Sequence, residues 1–168
     1  VKRLFAVFGI RVHAVTFETM DSSNKLGAHH PRHIDATFVP LRPGLAMFCP
    51  DEAPHTPEFV ELFKKNDWQL LPAAEPIAIH NNKVSLSALP ARGTTWLSMN
   101  TFSIDSKTVC VQASETAYAE QLDKLGFNVI PIPYNAVNPF GGGLHCTTLD
   151  IYREGKLEDY FPKQLPGF

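Results

Sequence analysis

An internal repeat constrains the fold of this chain more than any other feature of its sequence. Two predicted helices are each followed by an aromatic residue that opens a short apolar segment, Trp68 in the first unit and Phe127 in the second, 59 residues later. In both units two predicted strands precede the helix and one follows it. A repeat of this kind predicts an α+β fold built from ββαβ modules. The alternative, an ordinary α+β domain whose two units are similar by chance, stays open.

The first unit is predicted to run from residue 34 to residue 72. Residues 34–40 and 44–50 are strand-like and flank a turn at 41–43, which predicts a hairpin. Pro57 suits the first position of a helix, and the apolar side chains of residues 57–66 fall on one helical face. Residues 68–72 then predict the third strand.

The second unit repeats this order from residue 96. Residues 96–104 and 107–113 flank a predicted turn at Asp105-Ser106, and residues 114–126 predict a helix that begins with Ser beside Glu and ends on Gly. A strand is predicted at 127–133. Upstream, residues 11–18 alternate as a strand does, and the long polar segment 75–95 between the units predicts a loop.

Composition narrows the possible partners and the compartment. The 168 residues carry a formal net charge of −2, which gives no general field that attracts nucleic acid or an anionic membrane. No apolar run approaches the ~20 residues of a membrane span, and no targeting segment is recognised. The three cysteines form no Cys-x-x-Cys pair, which favours a reducing, cytoplasmic location. Cys49 and Cys110 are expected to be buried as small apolar residues.

Cys146 differs from the other two cysteines because it follows three glycines at 141–143 and directly follows His145. Glycines before a nucleophile let the backbone approach a substrate closely and adopt angles that other residues resist. Residues 144–152 are predicted to form a strand. A glycine-rich turn before a strand with a buried cysteine is the alternative that this motif leaves open.

His33 and Asp35 supply a second candidate feature. If Ile34 points into the core at the start of a strand, His33 and Asp35 share the opposite face, because side chains alternate along a strand. A histidine and a carboxylate together suit proton transfer and the binding of a cation, and with Cys146 they form the elementary set for thiol-based covalent catalysis.

Metal and phosphate sites are the competing interpretations of these motifs. His29, His30, His33 and Asp35 lie within seven positions, but Pro31 opposes the helix on which paired histidines would bind one ion, and no metal is predicted. The three glycines lack the Lys-Ser/Thr of a phosphate loop. Neither kind of site is expected.

Four motifs together resemble the amidinotransferase family, which comprises glycine amidinotransferase and its bacterial relatives. They are HIDATF (33–38), Pro43-Gly44, WLSMN (96–100) and GGGLHCTTLD (141–150), in the family's order and spacing. The resemblance extends over about residues 11–160 and corresponds to the C-terminal half of the family. It implies the pentein fold, five ββαβ modules around a central site. Residues 1–168 would then form a single partial pentein domain of two to three modules, without the N-terminal ones.

The resemblance also implies a reaction and a set of residues. The cysteine thiolate attacks the guanidino carbon of arginine, ornithine leaves, and an acceptor amine receives the amidino group. Cys146 matches the family nucleophile, His33 the catalytic histidine and Asp35 a guanidinium-binding carboxylate. Arg32, Thr94 and His145 are further expected substrate-binding residues. No cofactor is implied. The expected partners are two small molecules, arginine and the amine, with a possible homodimer.

Two departures from the family pattern bear on the acceptor. Asp51-Glu52-Ala53 stands where glycine amidinotransferase has Asp-Arg-Pro, and this charge reversal opposes a carboxylate-bearing acceptor such as glycine and favours a different amine. Gly93-Thr94 replaces Ser-Ser, so that only Thr94 keeps a hydroxyl contact. A mitochondrial location would follow only for an animal glycine amidinotransferase.

Two further hypotheses remain open at this point. With water as the acceptor, the same thiol would make a guanidine hydrolase of the arginine deiminase type. A fragment or paralogue that lacks part of the site would be an inactive binding protein, and residues 1–168 alone are expected to be inactive or nearly so because part of the guanidinium site is absent.

Overall fold

The structure is a computed structural model that describes residues 1–14, 33–50, 56–77, 95–137, 142–156 and 158–166. Within these ranges it contains three α-helices and six strands. They are α1 Lys2–Ala6, β1 Phe38–Arg42, β2 Leu45–Phe48, α2 Pro57–Lys65, β3 Gln69–Pro72, β4 Phe102–Ser103, β5 Thr108–Gln112, α3 Thr116–Lys124 and β6 Asn128–Ile132. None of the helices in these ranges is long and apolar enough to cross a membrane.

The strands form two sheets of identical topology. The first has the order β1-β2-β3 and the second β4-β5-β6. In each sheet the first two strands are antiparallel, and the third is parallel to the second. Helices α2 and α3 begin at Pro57 and Thr116, and strands β3 and β6 begin at Gln69 and Asn128, in both cases 59 residues apart. The predicted repeat of two ββαβ modules is confirmed.

Local sequence accounts for the ends of these elements. Pro57 occupies the start of α2, where its missing N–H costs no hydrogen bond. Gly126 follows α3 with φ +84°, a left-handed conformation that residues with a Cβ resist. In the second hairpin the Asp105 carboxylate accepts hydrogen bonds from the N–H groups of Lys107 and Thr108 at 2.6 and 2.8 Å. The first hairpin turns at Pro43-Gly44, with Gly44 at φ +80°, and not at 41–43 as predicted, since β1 continues through Arg42.

One hydrophobic core joins the two modules. It includes Met47 of β2, Val111 of β5, and Tyr118 and Leu122 of α3, each at most 1% exposed. Cys49 and Cys110 are buried, as predicted. A separate aromatic cluster packs α2 against the C-terminal segment, where the Phe161 ring stacks on Trp68 at 5.2 Å between centroids.

Three predicted strands adopt other structures. Residues Ile34–Ala36 form a short 3-10 helix, and β1 begins only at Phe38. A second 3-10 helix, Thr95–Met99, replaces the first part of the predicted strand 96–104. Its backbone is kinked at Trp96, which has φ −89° and ψ 22°, and the side chains of Trp96 and Met99 are buried. Residues 144–147 form a turn, and 148–152 pair with no strand in the described ranges.

Two upstream and intermediate predictions fall largely outside the described residues. Residues 11–14 adopt no regular structure, and 15–18 of the predicted strand lie outside the described ranges. The same holds for residues 78–94 of the predicted loop.

Candidate active site

The turn at 144–147 presents Cys146 to solvent. The Cys146 N–H donates a hydrogen bond to the side-chain oxygen Oδ1 of Asn100 at 3.0 Å, and the His145 N–H donates to the backbone oxygen of Asn100 at 3.2 Å. Asn100 directly follows the 3-10 helix Thr95–Met99. The thiol is therefore held on a backbone turn that is anchored to the second module.

The glycines before Cys146 allow close packing within the protein. A Cβ at Gly143 would lie 2.6 Å from the Cβ of Asn100, and a Cβ at Gly142 would lie 3.0 Å from that of Cys146. Neither glycine has a positive φ. The close contacts of these glycines are with Asn100 and Cys146, whereas the approach to a substrate stays a prediction. The expected unusual backbone angles are absent at these two positions. Gly141 lies outside the described residues.

Asp35 is the carboxylate that faces the thiol. Its Oδ2 atom accepts a hydrogen bond from His145 Nδ1 at 2.8 Å and one from Cys146 Sγ at 3.6 Å. The His145 side chain is 58% exposed and that of Asp35 is 24% exposed. The second oxygen, Oδ1, is buried and has no hydrogen-bond partner. Half of the carboxylate thus has unused capacity to accept hydrogen bonds.

The environment of Asp35 favours its charged form. Burial acts to raise the pKa of Asp35, but the hydrogen bond from His145, the nearby amide of Asn100 and the charge of His145 outweigh it, so the pKa lies below its usual value. Asp35 is therefore an anion at neutral pH, a suitable partner for a cation.

His33 completes the predicted set, although not by the predicted geometry. One nitrogen of His33, one oxygen of Asp35 and the Cys146 sulfur lie within 4.8 Å of one another. The predicted alternation along a strand is wrong because residues 34–36 form a 3-10 helix, and Ile34 is 56% exposed instead of buried. The histidine precedes that helix with an extended backbone.

The same three groups offer nitrogen, oxygen and sulfur atoms that a transition metal such as zinc accepts. Because the set includes the thiol, an ion bound there would occupy the sulfur that covalent catalysis requires. Of the earlier metal candidates, His29 and His30 lie outside the described residues.

A cavity of about 570 Å³ adjoins Asp35 and His145. Its far end is lined by Asp150 and Arg153, which form an ion pair of 2.8 Å between Oδ2 and Nε. Arg153 also donates to the backbone oxygen of Ser103 at 2.8 Å. The cavity is large enough for a small molecule whose reacting end lies at Asp35.

The structure brings four of the expected site residues together, and the others lie outside the described residues. Cys146, Asp35, His33 and His145 converge, whereas Arg32, Thr94 and Glu52 lie outside the described residues. Asn100 was not singled out as a site residue. The sequence does contain a signal for Asn100. It is a polar amide at the end of the motif WLSMN, at a position where a buried side chain is expected.

Relatives of known activity extend over most of the chain. It is 36% identical to mitochondrial glycine amidinotransferase of Xenopus laevis over 151 residues, which is 90% of this chain and 32% of that protein. It is 31% identical to L-arginine:L-lysine amidinotransferase of Pseudomonas savastanoi pv. phaseolicola over 89% of this chain and 36% of that protein. The chain is thus similar to amidinotransferases over about nine tenths of its length. No family model matches the sequence.

Solved structures of amidinotransferases share this fold. SxtG, an amidinotransferase of Microseira wollei in the saxitoxin biosynthetic pathway, has a TM-score of 0.65 at 28% identity, over 78% of this chain and 36% of that one. The inosamine-phosphate amidinotransferase StrB1 of Streptomyces griseus has a TM-score of 0.65 at 30% identity, over 79% and 36%. The two modules are part of a pentein fold. The chain spans about a third of the length of the curated relatives it matches.

Proposed function

We propose that the protein transfers the amidino group of arginine to an acceptor amine through a covalent adduct on Cys146. The observation that carries the proposal is the exposed thiol, which contacts Asp35 at 3.6 Å and lies within 4.8 Å of a His33 nitrogen, in a chain related to amidinotransferases. These are the groups that guanidine chemistry needs: a soft nucleophile, a group that exchanges protons and an anion for the planar cation.

In the first half-reaction, Asp35 binds the guanidinium of arginine. Oδ2 is shared by His145 and Cys146, so a guanidinium can donate to this oxygen by replacing these two donors. The thiol proton of Cys146 passes to His33, the resulting thiolate forms a bond to the guanidino carbon, and the bond from that carbon to Nε breaks. The departing nitrogen takes a proton from His33 and leaves as the δ-amine of ornithine.

In the second half-reaction, the acceptor amine attacks the carbon of the amidino-cysteine. The acceptor nitrogen gives a proton to His33, the bond from carbon to sulfur breaks, and the thiolate of Cys146 is restored. Atoms and charges balance over the two halves without an oxidant, a reductant or a metal as co-reactant. The covalent intermediate separates the departure of ornithine from the arrival of the second amine.

The acceptor is proposed to lack a carboxylate close to its amine. Glu52 stands where glycine amidinotransferase has an arginine, and a carboxylate there would repel the carboxylate of glycine. Arg32 and Thr94 remain proposed contacts for substrate. A homodimer likewise remains a proposal.

The acceptor panel is the test of this function. The full-length protein is incubated with arginine and, in parallel, with glycine, lysine and diamines that bear no carboxylate, after treatment with a chelator that frees the thiol of any metal. Formation of ornithine together with a guanidinylated amine is expected. Citrulline formed independently of the amine would instead support a guanidine hydrolase.

A Cys146→Ala variant is the control because it removes only the proposed nucleophile. It is expected to form no ornithine. Equal turnover by this variant and the unaltered protein would contradict the proposed function.

A further inference from the structure

Asn100 lies where the two halves of the candidate site meet. It follows the 3-10 helix Thr95–Met99, is 2% exposed, and packs beneath both the 3-10 helix that carries Asp35 and the turn that carries Cys146. At this depth its amide is inaccessible to a substrate that approaches the exposed thiol. Any effect of Asn100 on the reaction therefore acts through other residues.

Three polar groups of Asn100 are engaged on opposite sides. On one side, Oδ1 accepts from the Cys146 N–H at 3.0 Å and the backbone oxygen accepts from the His145 N–H at 3.2 Å. On the other, Nδ2 donates to the backbone oxygen of Asp35 at 3.4 Å. The side-chain amide also favours the charged form of Asp35 and helps to lower its pKa. One buried side chain thus connects the carboxylate with the nucleophile.

The turn is shaped to fit this side chain. The Cα of Gly143 packs so closely on Asn100 that an added Cβ would lie 2.7 Å from Oδ1 as well as 2.6 Å from its Cβ. Real Cβ atoms essentially never approach this closely, and backbone on one side and a buried side chain on the other leave little room to adjust. The glycine allows the turn to approach, and the amide holds it there.

We propose that Asn100 is a positioning residue that fixes the Cys146 thiol against the Asp35 carboxylate. Its hydrogen bonds set the register between the two turns, and the catalytic consequence rests on the function proposed above. Without the amide, the Cys146 N–H loses its acceptor while the His145 N–H keeps the backbone oxygen of Asn100, so the turn is held less firmly at Cys146 and the sulfur samples positions away from the guanidino carbon. The chemical step therefore slows, while the binding of arginine changes little.

The test compares Asn100→Ala with Asn100→Asp in the full-length protein. Alanine removes both side-chain hydrogen bonds, whereas aspartate keeps an oxygen for the Cys146 N–H and loses the donor to Asp35. Two quantities are measured: the rate of alkylation of Cys146 by iodoacetamide, followed by peptide mapping, and kcat and KM for arginine. Ser98→Ala is the matched control, because Ser98 is buried in the same 3-10 helix and its hydroxyl has no hydrogen-bond partner.

Asn100→Ala is expected to lower kcat at least about tenfold, with KM changed less than about threefold, since a small displacement of a reacting atom has a large cost. Alkylation of Cys146 should become faster by about threefold or more, because the turn is released and a small reagent needs no defined orientation. Asn100→Asp should lie between the alanine variant and the unaltered protein. Ser98→Ala should match the unaltered protein in both measurements.

The proposal would be overturned if Cys146 were alkylated at the same rate in Asn100→Ala as in Ser98→Ala. If circular dichroism shows that the alanine variant does not fold, Asn100→Asp decides: an unchanged alkylation rate there overturns the proposal, and a faster one supports it. Absence of amidino transfer by the unaltered protein would contradict the proposed function alone, since the alkylation comparison does not depend on turnover.

Discussion

At the scale of single residues, Asp35 connects the parts of the site. Its Oδ2 atom accepts hydrogen bonds from His145 and Cys146, and its Oδ1 atom is buried without a hydrogen-bond partner. A carboxylate that is partly unsatisfied when no substrate is bound is costly for folding and useful for binding. The free energy of unfolding is therefore expected to depend on whether the Asp35 carboxylate is charged.

Replacement of Asp35 by asparagine should change the acid sensitivity of folding. The pKa of Asp35 is lowered in the folded protein from its usual value of 3.8, so the folded state binds fewer protons than the unfolded state in this range. The stabilisation is complete above this usual value and is lost as the pH falls through the lowered one. Urea denaturation across this range should show that Asp35→Asn loses stability less steeply with acid.

Asp123→Asn is the matched control for that measurement, because Asp123 lies exposed on α3. Its acid dependence should follow that of the unaltered protein. Identical acid dependence of Asp35→Asn and the unaltered protein would show that Asp35 has no lowered pKa.

Gly143→Ala should destabilise the protein through its contact with Asn100. The added Cβ would lie 2.6 Å from the Cβ of Asn100, and overpacking of this kind costs about 1–3 kcal/mol of unfolding free energy. Gly155→Ala, which meets no atom within 4 Å, should shift the melting temperature little. Calorimetry of both variants makes the comparison.

Introducing Gly143→Ala into a second variant tests whether the contact with Asn100 causes the loss of stability. In an Asn100→Gly protein the colliding side chain is absent, so Gly143→Ala should cost less there than in the unaltered protein. An equal cost in both backgrounds would mean that the contact with Asn100 is not the reason.

At the scale of elements, the regular parts of the repeat could be predicted and the site-bearing turns could not. Helix α2 shows apolar residues at helical spacing after Pro57, and β5 is a run of apolar and β-branched residues, so local pattern and structure agree. The segments 34–37 and 96–101 mix apolar and polar residues, and a short run of this kind fits a strand and a 3-10 helix equally well. Contacts between distant segments decide between them.

The assembly of the site was predicted by resemblance and not by spacing. His33, Asp35 and Cys146 were expected together because they match family motifs, whereas the strand that was expected to align the first two is absent. The amide at the end of WLSMN indicates that Asn100 is unusual, but its partners are backbone groups far away in the sequence, which no local pattern encodes. Interactions of this kind require the three-dimensional structure.

Helix α3 should account for much of the stability at this scale. Leu122 is fully buried between the modules, and its replacement by alanine should lower the unfolding free energy by about 2–5 kcal/mol because a cavity forms. Leu4→Ala, at a residue of α1 that is 64% exposed, is the control and should cost little. Urea denaturation gives the unfolding free energy of each variant. Equal losses in Leu122→Ala and Leu4→Ala would contradict the assignment of Leu122 to the core.

At the scale of the whole molecule, the two modules share the hydrophobic core described above. Of the three cysteines, only Cys146 is exposed. Just after the Cys146 turn, Leu149, Ile151 and Tyr152 are each at least 79% exposed. The chain spans about a third of the length of the curated relatives it matches. The resemblance implies another catalytic aspartate and a further substrate-binding aspartate in the N-terminal half of the family. Residues 1–168 alone should therefore form no detectable ornithine, and turnover by them would contradict this expectation.

A single-turnover experiment tests the role of Cys146 most directly. The full-length protein is mixed with arginine in the absence of any acceptor amine, quenched in acid and mapped by mass spectrometry. The expected result is one amidino group on Cys146 and an equal amount of ornithine, with both absent in the Cys146→Ala variant. Ornithine release without modification of Cys146, or the same release by the variant, would contradict the account.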